Sequence, residues 1–150
     1  AKYRGGMVFV DYAHTPDGLQ RILTSMKKLC GSRLICVFGC GGNREKEKRK
    51  SMGRIAGELA DFTVITNDNP RFEDPLDVIR SIEEGTRSVT RDFLSVPDRE
   101  KAIAYALSGM GEGDILLVAG KGAEDYQETM GVRRHFSDRE VILSLTGETG

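Results

Sequence analysis

Short apolar runs punctuate this chain at wide intervals: Met7–Val10, Leu34–Phe38, Phe62–Thr66, Phe93–Val96 and Ile115–Ala119. Each has the length and content of a buried strand. Between them the apolar positions change period. Leu19, Ile22, Leu23, Met26 and Leu29 recur at helical spacing, which predicts an amphipathic helix over 16–29. Met52, Ile55, Ala56 and Leu59 predict the next helix. Leu76, Ile79 and Ile82 predict a third, and Ala102, Ile103, Ala106 and Leu107 a fourth. Start signals agree with this phase. Thr15-Pro16 and Asp74-Pro75 each place a capping residue before a proline at the first helical position, and Asp98 caps the fourth helix. Ser137-x-x-Glu140 is a capping box before a final helix, and Val132–His135 is a brief strand preceding it.

Strands alternating with helices predict a mostly parallel sheet covered on both faces. The expected fold class is α/β: a three-layer, Rossmann-like domain with about six strands. The short strand before the last helix follows too closely for a full crossover, so it is expected to be antiparallel.

In such a sheet all strands hand over to their loops at one edge, where open α/β folds bind ligands. The five loops at that edge are DYAHTP (11–16), GCGGNRE (39–45), NDNPR (67–71), PDRE (97–100) and GKGAE (120–124). The opposite loops, such as CGSR and GEGD, carry ordinary turn chemistry. This polarity predicts a binding site at the carboxyl edge.

Composition narrows the partners. The chain has 150 residues, enough for one sizeable core, and a formal net charge of −1. That balance gives no case for nucleic acid or an anionic membrane surface. No apolar run approaches the roughly 20 residues of a membrane span. The opening AKYRGG forms no signal-peptide core, and the closing TGETG reads as a frayed end or a boundary. Three cysteines, Cys30, Cys36 and Cys40, read as reduced thiols of a cytoplasmic protein.

GCGGNRE fails the dinucleotide fingerprint because Arg44 stands where the third glycine belongs, and the chain holds no P-loop. What remains is a flexible backbone able to approach an anion, with Arg44 beside it. The basic run from Arg44 to Lys50 reads chiefly as a solvated helix face, with one or two members in reach of a phosphate. In NDNPR, Pro70 fixes its own backbone and holds Asn69 extended. Arg71 offers a planar fork for a carboxylate, and Asn69 both donor and acceptor. Glu124 suits an ammonium group, so the set suggests a zwitterionic ligand. His14 fits either base stacking or a hydrogen bond within its turn. His135 reads as incidental and Tyr12, Tyr105 and Tyr126 as packing residues. No nucleophile triad or zinc spacing is legible.

DYAHTPDG, GCGGNRE, DNPR and GKGAEDYQ, in this order and spacing, resemble the C-terminal domain of the Mur ligases, in particular the branch that adds diaminopimelate. The resemblance covers roughly residues 7–143. It implies ATP-dependent amide formation through an acyl phosphate on a UDP-MurNAc-dipeptide, in peptidoglycan precursor synthesis. It implies ATP and magnesium held mainly by a central domain, and a nucleotide-sugar site on an N-terminal domain. Neither of those domains is in these 150 residues, so the chain is expected to be an excised domain that is inactive alone. Asp68, Asn69, Pro70 and Arg71 resemble the diaminopimelate motif; Arg44, Gly120 and Glu124 match its other contacts; His14 and Arg99 match positions near the nucleotide. Asn43, Glu45, Lys50 and Ala123 depart from the family pattern, Ala123 replacing the histidine of GKGHE. Two other readings stay open here: a folylpolyglutamate synthase-type C-terminal domain, and a non-catalytic amino-acid-binding module. A Rossmann-type oxidoreductase is disfavoured by Arg44.

Overall fold

Residues 1–42 and 45–147 are described by a computed structural model. In chain order the elements are β1 (Lys2–Tyr3), β2 (Gly6–Asp11), α1 (Pro16–Leu29), β3 (Leu34–Phe38), α2 (Lys46–Leu59), β4 (Phe62–Ile65) and α3 (Pro75–Arg87). They continue with β5 (Phe93–Ser95), α4 (Arg99–Ser108), β6 (Ile115–Ala119), β7 (Tyr126–Thr129), β8 (Val132–His135) and α5 (Asp138–Thr146). The main sheet has the order β1-β2-β6-β3-β4-β5, parallel throughout except for β1.

β3 and β6 are continuous apolar runs because both faces of both strands are buried. Leu19, Leu23, Met52, Ala56, Ile79 and Ile82 of α1, α2 and α3 pack on one face. Ala102, Ile103, Ala106 and Ile142 of α4 and α5 pack on the other. This is the three-layer α/β arrangement that the alternating pattern predicts. Caps form as the sequence indicates: Thr15, Asp74, Asp98 and Ser137 each accept a hydrogen bond from a backbone N–H in the first turn. No described helix is long and apolar enough to cross a membrane.

Two details differ from expectation. The antiparallel member of the main sheet is β1, at the start of the chain. The predicted C-terminal strand, β8, pairs instead with β7 in a separate two-stranded sheet. All four β8 residues are exposed, so no apolar face draws it onto the main sheet. Arg4-Gly5 and Met130-Gly131 are the two-residue connections of these antiparallel pairs, all four with positive φ. That is the backbone geometry of hairpin turns that match strand twist.

Candidate functional site

The carboxyl ends of the parallel strands open on a cavity of about 180 Å3. Tyr12, His14 and Thr15 line it from the loop after β2, Cys40 and Gly41 from the loop after β3, and Asp68 and Arg71 from the loop after β4. Gly120 contributes from the loop after β6, and Lys48, Arg49 and Met52 from α2.

The glycine-rich loop and NDNPR are in direct backbone contact. Gly42 N–H donates to the Asn69 carbonyl at 2.7 Å. A Cβ at Gly42 would lie 1.7 Å from the Pro70 oxygen, so only glycine permits this approach. Arg71 Nη1 donates back to the Gly42 carbonyl at 3.1 Å. The guanidinium therefore faces the glycine rim, and among the described residues no carboxylate pairs with it.

Pro70 is not the only restraint on Arg71. Its N–H donates to Glu128 O at 3.1 Å and its carbonyl accepts from Met130 N–H at 2.7 Å, which ties it to the β7–β8 hairpin. Its φ of 55 is unusual for a residue with a side chain.

Asn69 is buried, and its Oδ1 accepts from Lys121 Nζ at 3.0 Å and from Glu128 N–H at 2.9 Å. The dual donor–acceptor role expected of this amide is thus reduced, because the protein itself uses the acceptor. Lys121 is fully buried. Its ammonium also donates to Tyr126 O at 2.9 Å and lies 2.9 Å from Asp68 Oδ1 and 3.8 Å from Glu124 Oε1. Gln127 Nε2 donates to the Asp68 carbonyl at 2.8 Å. Gly120 takes φ 116, and a Cβ there would sit 3.0 Å from Asp68 Oδ2.

Glu124 Oε2 accepts from the Tyr12 hydroxyl at 3.3 Å. Tyr12, expected as a packing residue, is half-exposed instead, and the Glu124 charge raises its pKa above the ordinary phenol value. His14 Nδ1–H donates to the Tyr12 carbonyl at 3.0 Å, and its ring meets the Tyr12 ring edge to face with centroids 4.7 Å apart. The turn hydrogen bond open at the sequence level is therefore present, with the imidazole on the cavity wall.

Of the residues singled out, Asp68, Asn69, Pro70, Arg71, Gly120, Glu124 and His14 come together around this cavity and the loops that enclose it. Arg44 lies outside the described residues. Arg99 is not brought to the cavity. Its side chain is buried, with Nε and Nη2 on the Asp138 carboxylate at 2.7 and 2.8 Å, Nη1 on Asn67 O at 3.0 Å and Nη2 on Ala119 O at 3.1 Å. It braces the starts of α4 and α5 against the ends of β4 and β6. That arrangement leaves it no free face for a nucleotide.

The basic run also departs from a purely solvated face. Arg49 is buried and holds both carboxylate oxygens of Glu73, just beyond NDNPR, while Lys48 lines the cavity and Lys50 pairs with Glu84 at 3.2 Å. Sequence reasoning passed over Lys121 and Glu73, placed Arg49 only in the basic run and took Tyr12 for a packing residue. Arg49 had a legible signal, since it shares a helical face with Met52 and Ala56. His135 lies away from the cavity, against Glu140.

Cys30, Cys36 and Cys40 are free thiols. Burial pushes Cys36 and Cys40 up to about 12. Burial thus disfavours the reactive thiolate form of both. Maleimide at neutral pH should therefore label native protein at partly buried Cys30 alone and denatured protein at all three. Mass spectrometry counts the adducts, and rapid native labelling of Cys40 would contradict the burial described.

A family model for "Mur ligase, glutamate ligase domain" matches residues 1–122. A UDP-N-acetylmuramoyl-L-alanyl-D-glutamate–2,6-diaminopimelate ligase of Chlorobaculum tepidum is 50% identical over 141 residues, covering 93% of this chain and 27% of the relative. A second ligase of that name, from Clostridium acetobutylicum, is 46% identical over 140 residues, covering 93% of this chain and 29% of the relative. A solved structure of a UDP-N-acetylmuramoyl-L-alanyl-D-glutamate–2,6-diaminopimelate ligase superposes with a TM-score of 0.93 at 37% identity, over 98% of this chain and 30% of that one. The chain thus spans less than a third of the length of these relatives. With the loop motifs meeting at one sheet edge and the family model covering most of the sequence, this chain belongs to the Mur ligase family, as its glutamate ligase domain.

Proposed function

We propose that this chain is the amino-acid-binding domain of an ATP-dependent ligase that joins meso-diaminopimelate to UDP-MurNAc-L-Ala-D-Glu. The observation that carries the reading is Arg71. Its guanidinium is held at the glycine rim by the Gly42 carbonyl, and no carboxylate of the described residues pairs with it. An arginine so placed suits a ligand carboxylate in two parallel hydrogen bonds. Asp68 and Glu124 supply acceptors for an ammonium group nearby, with Lys121 between them limiting their joint charge. Both ends of a zwitterion are thereby matched.

In this reading the longer protein activates the terminal carboxylate of the sugar dipeptide as an acyl phosphate. The domain described here presents the amine, whose attack on the acyl carbon releases phosphate. Magnesium would in this reading be held by other parts of the longer protein, where it would offset the charge of the transferring phosphate. His14 and Lys48, both on the cavity wall, would meet ATP in this reading. The isolated domain should not turn over.

The test uses the longer protein with UDP-MurNAc-L-Ala-D-Glu, ATP and magnesium, and follows phosphate release on adding meso-diaminopimelate or L-lysine. Release dependent on diaminopimelate is expected. A clear preference for L-lysine, or release with neither, refutes the reading.

A further inference from the structure

We infer that Lys121 is a positioning residue that commits Asn69 to giving hydrogen bonds, and through it sets the preference for an amino acid with a second carboxylate. The inference rests on the function proposed above.

An ammonium has three donors and no acceptor. In Lys121 two of them meet Asn69 Oδ1 and Tyr126 O, and the ammonium charge lies against Asp68 Oδ1 at 2.9 Å as an ion pair. Asn69 Oδ1 takes a second donor, the Glu128 N–H, so both of its lone pairs are used. Turning the amide over would set its N–H2 group against an ammonium and a backbone N–H, donor against donor, in a buried place. The orientation of Asn69 is therefore locked. What remains is Nδ2, from which no described residue accepts, and which is not among the buried atoms closed off without a partner.

A side chain fixed in this way can donate to a carboxylate and cannot accept from an ammonium. Arg71, the next residue but one, offers donors only. Lys121 thus divides the loop by polarity: donors from Asn69 and Arg71, acceptors from Asp68 and Glu124. Packing alone does not call for a lysine here. Its side chain is wholly buried, and an apolar chain of the same length would fill the space without the cost of desolvating a charge.

The experiment measures kcat/KM for meso-diaminopimelate and for L-lysine in the longer protein. Lys121→Met keeps the length and removes the donors. The ratio of the two kcat/KM values should fall about tenfold to a hundredfold, the worth of a lost hydrogen bond to a charged group, through the KM for diaminopimelate. General loosening of the fold would lower both substrates together and leave the ratio alone. Asn69→Asp is the second variant. It keeps an oxygen for Lys121 and Glu128 N–H but puts an acceptor where the amide donor was, and the ratio should collapse here too. Should Lys121→Met fail to fold, Asn69→Asp carries the test alone. A wild-type ratio in either folded variant overturns the inference. Failure of the unmodified protein to use diaminopimelate overturns the proposed function instead.

Discussion

Arg71→Ala in the longer protein is expected to lower kcat/KM for meso-diaminopimelate by roughly 30-fold to several thousandfold, the equivalent of about 2–5 kcal/mol for a charge-assisted contact. The size follows from the setting. The guanidinium is aimed by the Gly42 carbonyl, and its backbone is pinned at both ends by the β7–β8 hairpin, so little freedom is lost when a carboxylate binds. Arg71→Lys should rescue little, because a point charge on a flexible stem cannot reproduce the planar fork. The loss should fall on the KM for diaminopimelate and spare the KM for ATP. Initial rates over a range of both substrates separate the two, and unchanged diaminopimelate kinetics would remove Arg71 from the site.

The second large effect concerns stability. Arg99→Leu leaves the buried Asp138 carboxyl group without its partner, a change that costs about 3–5 kcal/mol when one member of such a pair is removed. For a domain of this size that is a fall in melting temperature of roughly 6–20 °C. Asp138→Leu should cost a similar amount. The double variant should recover much of it, since two apolar chains leave no orphaned charge. Thermal melts of the 150-residue chain, followed by circular dichroism, check all three. An unaltered melting temperature with weakened nucleotide use would return Arg99 to the contact role that the family resemblance implies.

These two arginines show where sequence reading works and where it stops. The strands β3 and β6 and the helix α1 were legible to the residue, because burial on both faces or on one stripe writes a clear period. β1 and β7 were not. β1 has two residues, and both hairpin turns use Arg-Gly and Met-Gly instead of the Asn-Gly or Asp-Gly that would announce them. At the site, the loops were legible as polar punctuation at strand ends. The partners inside them were not, because Arg99 finds Asp138 across 39 positions and Lys121 finds Asn69 across 52. A cation in a motif reads as a ligand contact. Only packing shows that Arg71 is presented while Arg99, Arg49 and Lys121 are consumed as braces.

The left-handed backbone at Arg71 bears on how this protein could be improved or spoiled. A residue with a Cβ spends roughly 1–2 kcal/mol to sit there, and glycine does not. Directed evolution for heat tolerance alone would thus favour Arg71→Gly, and on the function proposed above its winners would be sturdier proteins without their carboxylate contact. Any such campaign has to score chemistry alongside survival.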